Sequence, residues 1–146
     1  MSTDIFFWSR KAEHGWLSNF WRTPIKVDGQ VWSTSEHYYQ AQKTFDPLEQ
    51  TMIWNCAKPL EAKLAGYHVT LRPDWEEVKE AIMLTALRAK FGAHALLAQW
   101  LLETGDAALH EDSPWDEYWG WVNGRGQDRL GKLLMQVREE LRAAAA

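Results

Sequence analysis

The segment from Leu130 to Leu141 carries the most regular apolar pattern in the chain. Five aliphatic side chains recur there at intervals of three and four residues: Leu130, Leu133, Leu134, Val137 and Leu141. This spacing places them on one face of a helix. Because that face must be buried, the rest of the chain has to supply a core. The chain has 146 residues, 46% of them hydrophobic, and we expect one domain over 1–146.

Start and stop signals predict further helices. The S-x-x-E capping pattern of Ser33–Glu36 predicts a helix that runs to about Phe45. A second capping pattern, Asp74–Glu77, predicts a helix that runs to about Phe91. Two further helices are predicted at 48–57 and 94–103. A short turn is predicted from Pro59 through Leu64, ended by Gly66.

Strand signals lie mainly near the N-terminus. Residues 5–8 (IFFW) predict a short buried strand, and residues 24–32 alternate around Asp28-Gly29, which is typical of a type I′ hairpin. Residues 109–121 contain a proline and a glycine and predict a loop. We therefore expect a predominantly helical α+β fold with a small N-terminal β-sheet or hairpin.

Composition excludes several classes of protein. No apolar run approaches the ~18 residues of a membrane span, and the N-terminus lacks the pattern of a signal peptide. Cys56 is the single cysteine, so no internal disulfide is expected, and the five histidines lack zinc-ligand spacing. We expect a cytoplasmic protein with no membrane partner and no metal.

Charge is unevenly distributed. Residues 91–124 contain no Lys or Arg but six acids: Glu103, Asp106, Glu111, Asp112, Asp116 and Glu117. With a net charge of −4 and no basic stripe, broad non-specific binding to nucleic acid is not expected. Recognition of a single nucleotide in a pocket remains open.

Ten tryptophans are several times what a soluble domain of this size usually carries. An indole face stacks on flat or sugar-like groups while its N–H donates, so some are expected to contact a ligand. We assign Trp8, Trp32, Trp54 and Trp100 to the core and leave Trp16 and Trp21 open. The indoles expected at the ligand are Trp75 and Trp119, with Trp121 as a third candidate.

Residues 35–43 (SEHYYQAQK) contain the first candidate chemistry. On a helix, Glu36, Gln40 and Lys43 share one face. In one interpretation Glu36 only completes the capping pattern and Lys43 is solvated. In the other, the carboxylate activates water or stabilises a cation, and the ammonium binds an anion or forms a Schiff base.

Two later segments add further candidates. Residues 109–121 combine four acids with three tryptophans, which suits a sugar ligand or, alternatively, a solvated acidic loop around a buried indole. Residues 123–129 (NGRGQDR) place glycines, Arg125 and Arg129 before the last helix. They predict either an anion site or a glycine-rich turn with Asp128 as N-cap.

The order of these motifs resembles the NADAR superfamily, the YbiA-like N-glycosidases. The resemblance spans nearly the whole chain and is carried by these segments: LSNF (17–20), VDGQVWSTSEHYYQAQKTF (27–45), PDW (73–75), ALRAKF (86–91), TGDAALHE (104–111), DEYWG (116–120) and GRGQDRLGKLLMQVREEL (124–141). It implies a compact YbiA-like domain that needs no metal or cofactor. It also implies cleavage of the N-ribosyl bond of phosphoribosylaminopyrimidine intermediates of riboflavin biosynthesis.

The resemblance implies a role for each matched site residue. Glu36 is the main catalytic carboxylate, Lys43 a second catalytic or anion-binding group, and Asp116 the second carboxylate. The residues implied in substrate binding are Asn19, Phe20, Trp75, Trp119 and Gly120, to which the possible anion site adds Arg125 and Arg129.

The glycine-rich stretch departs from the family pattern and leaves alternatives open. It is one residue shorter, and Asp128 stands where the family usually has Asn. Other superfamily members remove ADP-ribose from guanine in DNA, so an ADP-ribosyl substrate on a modified DNA base is one alternative. A module that binds ADP-ribose or a related nucleotide without turnover is another.

Overall fold

The computed structural model describes residues 3–146, and its contacts divide the chain into two compact units. One unit is Asn19–Lys90, and the other comprises the residues up to Ser18 together with Phe91–Ala146. In chain order the elements are β1 (Ile5–Phe7), a 3₁₀ turn (Gly15–Leu17), β2 (Ile25–Val27), β3 (Gln30–Trp32), α1 (Ser35–Ala41), α2 (Pro47–Trp54), α3 (Pro59–Gly66), α4 (Trp75–Ala93), α5 (Ala95–Glu103), β4 (Leu109–Glu111) and α6 (Arg129–Ala145). The prediction of a predominantly helical α+β fold is confirmed.

The predicted hairpin is present in the unit 19–90. β2 and β3 are antiparallel, with Ile25 opposite Trp32. The two turn residues, Asp28 and Gly29, have φ of 50° and 81°, as a type I′ turn requires. Behind the hairpin lies an apolar cluster: Ile25, Trp32, Tyr38, Ala41, Ile53, Ala62 and Ala86.

Helix α1 begins one residue later and ends earlier than its capping pattern predicts. The N-cap is Thr34, not Ser33, and its side chain accepts a hydrogen bond from the His37 N–H at 3.1 Å. The helix ends at Ala41 rather than near Phe45. Beyond Ala41 the backbone bonds span three residues instead of four: the Lys43 N–H donates to the Gln40 carbonyl at 3.2 Å and the Thr44 N–H to the Ala41 carbonyl at 3.4 Å.

The other helices follow their start signals more closely. α2 begins at Pro47 because Asp46 caps it, accepting from the Leu48 N–H at 2.9 Å. The predicted turn at 59–66 is a complete two-turn helix, α3, with Pro59 in its first turn. α4 ends two residues beyond the predicted Phe91.

The other unit contains a strand pair that was not predicted. β1 pairs in parallel with β4, Ile5 opposite Leu109, so the first strand is not part of an N-terminal sheet. The predicted loop 109–121 therefore begins with a strand. α6 packs on β4 and buries its predicted face, with Leu130 and Leu134 at most 1% exposed.

Of the four tryptophans assigned to the core, one is buried. Trp32 is buried, whereas Trp54 is 42% exposed and donates its indole N–H to the Val31 carbonyl at 2.7 Å. Trp8 and Trp100 are half-buried. Of the two left open, Trp16 packs on Trp100 and Trp21 is exposed.

Between residues 3 and 146, no single helix is long and apolar enough to cross a membrane. α4 and α5 reach that length and composition only as a pair bent at the break between them.

Candidate functional site

Glu36 lies in the first turn of α1, inside the unit 19–90, and is only 7% exposed. Because Thr34 caps the helix, Glu36 is not the partner in a capping box, and that interpretation of its side chain is wrong. Instead its Oε2 accepts a hydrogen bond from Gln40 Nε2 at 2.6 Å. Glu36 and Gln40 are one helical turn apart and do share a face, as predicted.

Asn19 fixes the start of α1 from outside the helix. Its backbone carbonyl accepts from the Glu36 N–H at 3.2 Å, and its side-chain Oδ1 accepts from Ser35 Oγ at 2.8 Å. Its amide also donates to Met83 Sδ on α4 at 3.2 Å. The structure therefore brings Asn19 and Glu36 together, with Asn19 bound to the backbone that carries the carboxylate.

Lys43 lies just beyond the end of α1. The prediction that it continues the helical face of Glu36 and Gln40 is therefore wrong. Its Nζ faces three aromatic rings, 5.7 Å from the centre of Tyr67, 5.8 Å from Tyr39 and 6.0 Å from Trp75. These distances are those of cation–π contacts. The ammonium is thus held by ring faces at a half-buried position.

Arg72 and Asp74 join the Lys43 turn to the start of α4. The Arg72 guanidinium binds Asp74 through Nε at 2.6 Å and Nη2 at 2.9 Å, and its Nη1 donates to the Gln42 carbonyl at 3.4 Å. This bidentate contact lowers the pKa of Asp74. Arg72 therefore anchors the backbone on either side of Lys43.

Trp75 and Phe20 complete the predicted residues of this unit. Trp75 is 5% exposed, and its ring packs on Tyr39 at a centroid distance of 5.2 Å. Its indole therefore supports the Lys43 contact and presents little open surface. Phe20 is half-buried, with Lys63 Nζ 6.0 Å from its ring centre.

The other predicted residues belong to the second unit, where Asp116 organises the acidic loop. Asp116 Oδ1 accepts from the Tyr118 N–H at 3.0 Å and from the Trp119 N–H at 2.8 Å. One carboxylate oxygen thus holds the turn that carries Trp119, which is 8% exposed. Gly120 follows, and a Cβ there would lie 2.6 Å from the Asp116 carbonyl oxygen. Only glycine fits that position.

The glycine-rich stretch leads into α6 as predicted, and Asp128 stands at the N-cap position, although its side chain makes no capping hydrogen bond. Its Oδ2 is hydrogen-bonded to His110 Nδ1 at 2.6 Å. Burial raises the pKa of Asp128, and the His110 contact partly offsets that effect. Arg125 is exposed and Arg129 half-buried beside this helix start. Asp128 thus forms an ion pair with His110.

An open depression of about 670 Å³ also lies in this unit. Its walls include His14, Trp16, Trp100, Glu103 and Asp106, and none of the predicted site residues. In the described part of the chain, no three His, Cys, Asp or Glu side chains are placed to hold a metal ion.

Sequence reasoning missed three residues around Lys43. Tyr39, Tyr67 and Arg72 all shape its surroundings. Tyr39 could have been found, because it precedes Lys43 by one helical turn in the same motif. Tyr67 and Arg72 come from later segments, and no local pattern joins them to residue 43.

Comparisons with known proteins agree with this arrangement of motifs. The NADAR domain model matches residues 6–142. The chain is 47% identical to N-glycosidase YbiA of Escherichia coli (strain K12) over 142 residues, covering 95% of this chain and 89% of that protein. It is 43% identical to N-glycosidase Npun_R5314 of Nostoc punctiforme over 144 residues, covering 94% and 92%.

Two further matches concern a longer protein and a solved structure. Riboflavin biosynthesis protein VVA0006 of Vibrio vulnificus is 39% identical over 148 residues, which is 99% of this chain but 40% of that protein. The NMR structure of the E. coli protein YbiA superposes with a TM-score of 0.91 at 45% identity, covering 99% of this chain and 89% of that one. Fold, motifs and family model agree, and the chain belongs to the NADAR family.

Proposed function

We propose that this chain is an N-glycosidase that hydrolyses the N-ribosyl bond of phosphoribosylaminopyrimidine intermediates of riboflavin biosynthesis. Support for the reaction class comes from the relatives named N-glycosidase, which match nearly end to end. Support for the pathway comes from the relative named as a riboflavin biosynthesis protein. The observation that carries the mechanism is the buried Glu36 carboxylate aligned by Gln40.

The reaction adds water across the bond between the anomeric carbon and the amine nitrogen. As that bond breaks, positive charge develops on the ribosyl carbon, and the Glu36 carboxylate stabilises it. The same carboxylate takes a proton from water as the oxygen attacks, while the leaving nitrogen gains a proton. The products are ribose 5-phosphate and the aminopyrimidine. Water is the only co-reactant, and the proposal includes no metal or cofactor.

Lys43 serves as an electrostatic group in this proposal. Three aromatic rings attract its ammonium and hold it in one place. A fixed positive charge suits the phosphate or a ribose oxygen of the substrate better than it suits a Schiff base, which needs the neutral amine.

The remaining predicted residues take binding or supporting roles. Asn19 sets the backbone of Glu36, the half-buried Phe20 contacts the ribosyl group, and the buried Trp75 acts through its ring contacts with Tyr39 and Lys43. For the second unit, the proposal assigns Asp116 as a second carboxylate, Trp119 and Gly120 to substrate contact, and Arg125 and Arg129 to attraction of phosphate. The cytoplasm is the proposed location, and the free thiol of Cys56 suits a reducing compartment.

Direct incubation with a phosphoribosylaminopyrimidine, followed by assay of ribose 5-phosphate, tests the proposal. A parallel incubation with an oligonucleotide carrying ADP-ribosylated guanine identifies the substrate class. We expect release of ribose 5-phosphate from the pyrimidine and no release of ADP-ribose at a comparable rate from the oligonucleotide. Release of ADP-ribose from the oligonucleotide alone would overturn the proposed substrate. Tight binding of ADP-ribose without turnover of either substrate would overturn the proposal that the chain is an enzyme.

A further inference from the structure

We propose that Gln40 is a positioning residue that keeps the Glu36 carboxylate ionised and in a single orientation, and that Gly66 provides the space for it. This inference depends on the proposed function of Glu36. It assigns a role to Gln40, the residue of the SEHYYQAQK segment that shares a helical face with Glu36.

The hydrogen bond itself defines the protonation state that Gln40 favours. Gln40 Nε2 donates to Glu36 Oε2 at 2.6 Å, and the two side chains are 4% and 7% exposed. An ionised carboxylate only accepts hydrogen bonds, so an amide N–H pointing at it stabilises the charged form. Turning the amide over would place an acceptor against the carboxylate, which only a protonated Glu36 could tolerate.

The other end of the amide shows why it is not turned over or displaced. Gln40 Oε1 is buried, and no group within residues 3–146 donates a hydrogen bond to it. It fills the space in which a Cβ of residue 66 would lie, so any side chain at Gly66 would overlap it. Gly66 ends α3, and α3 packs against α1. The absence of a side chain at 66 therefore determines where the Gln40 amide sits.

A chemical consequence follows for the reaction. A Glu36 held ionised can stabilise the ribosyl cation and accept a proton from water, but it is a poor proton donor. The proton that reaches the leaving nitrogen must then come from another group or from solvent. Gln40 thus assigns Glu36 the role of base and cation stabiliser rather than that of general acid.

The kinetic test uses pH profiles of ribose 5-phosphate release for Gln40→Met, which removes the donor at similar size. We expect kcat to fall about 10- to 100-fold with little change in KM, because a hydrogen bond to a charged group is lost. The acidic limb of the profile should move to higher pH. Gln40→Glu, with a second carboxylate beside the first, should move that limb further.

Gly66→Ala tests the spatial half of the inference. It should reproduce the Gln40→Met profile although residue 66 does not reach Glu36. In a Gln40→Ala background, where no amide fills the space, Gly66→Ala should cause no further loss of kcat and no further shift of the pH profile. Gly92→Ala on α4 is the matched control, because a Cβ there meets nothing within 4 Å. Thermal melting confirms folding of each variant.

A measurement without substrate separates this inference from the proposed function. Exchange of the Gln40 side-chain amide protons, followed by NMR, should be slow in the unmodified chain and faster in Glu36→Ala and Gly66→Ala. Equal exchange rates in all three would overturn the inference even if the enzyme is active. So would a Gln40→Met variant with normal kcat and an unmoved profile. A chain inactive on every substrate, but with the expected exchange pattern, refutes only the proposed function.

Discussion

The ammonium of Lys43 lies 5.7 Å from the ring centre of Tyr67, a residue that is itself 66% exposed. The buried rings of Tyr39 and Trp75 lie at similar distances from Nζ. Lys43 is thus held by one open and two buried aromatic faces. Such a position keeps a positive charge at the surface of the unit, where an anionic substrate can reach it.

Replacing Lys43 separates an electrostatic role from a covalent one. Lys43→Met should lower kcat/KM about 100-fold, whereas Lys43→Arg should keep most of the activity because it keeps the charge. Steady-state assays with borohydride present check this. If Lys43→Arg is as inactive as Lys43→Met, and borohydride attaches a ribosyl group to the unmodified chain, the lysine acts through a Schiff base instead.

Asp116 has a structural contact that a substitution can preserve. Asp116→Asn keeps the oxygen that accepts from the Tyr118 and Trp119 N–H groups but removes the charge. We expect an unchanged melting temperature and a loss of about 10- to 100-fold in kcat. Asp116→Ala should lower both, since the turn also loses its acceptor. Normal activity of Asp116→Asn would show that Asp116 only stabilises the turn and has no part in the reaction.

Asp128 should weaken the fold at neutral pH. Its pKa is raised above the ordinary aspartate value, so its ionised form is disfavoured in the folded state. That cost is present above the folded-state pKa and disappears as pH falls below the ordinary value. Asp128→Asn, which also suits the φ of 57° at this position, should raise the melting temperature by about 3 °C at pH 7.

The pH dependence of that gain is the check on its cause. The difference in melting temperature between Asp128→Asn and the unmodified chain should shrink as pH falls towards 4. A gain that stays constant from pH 7 to pH 4 would attribute it to backbone preference alone. A lower melting temperature of Asp128→Asn at pH 7 would mean that the His110 contact at 2.6 Å stabilises the ionised Asp128 by more than its burial destabilises it.

Lys90 is 1% exposed, and burial lowers its pKa to about 7. Between about 7 and the ordinary value of 10.5 the unfolded chain binds a proton that the folded chain does not. Stability should therefore rise with pH across that window. Urea unfolding of Lys90→Met should lack this rise, while the exposed control Lys26→Met should retain it. Parallel curves for all three chains would contradict the depressed pKa.

Elements with a complete local signal could be predicted. The hairpin was predictable because two successive positive φ values favour Asp-Gly, and α6 because its apolar residues repeat with the helical period. The end of α1 could not be predicted, since residues 42–45 contain no Gly or Pro to mark it. Strand β4 could not be predicted either, because it is three residues long and its partner β1 lies near the other end of the chain.

The candidate site was likewise predictable only in part. Its motif located Glu36 and Lys43. The N-cap could not be predicted, because Ser33 and Thr34 both carry a capping hydroxyl, and with Thr34 as N-cap Glu36 is not at the capping-box position. The partners that later segments supply could not be predicted either. Gly66 and Tyr67 end α3, and the contact of α3 with α1 that brings them close is not encoded in either segment alone.

The role of Glu36 is the central claim, and one comparison tests it most directly. Ribose 5-phosphate release from a phosphoribosylaminopyrimidine is measured for the unmodified chain and for Glu36→Gln, which preserves size and removes the charge. The account predicts release by the first and a loss of at least about 100-fold in kcat by the second, with unchanged melting temperature. Full activity of Glu36→Gln would contradict it.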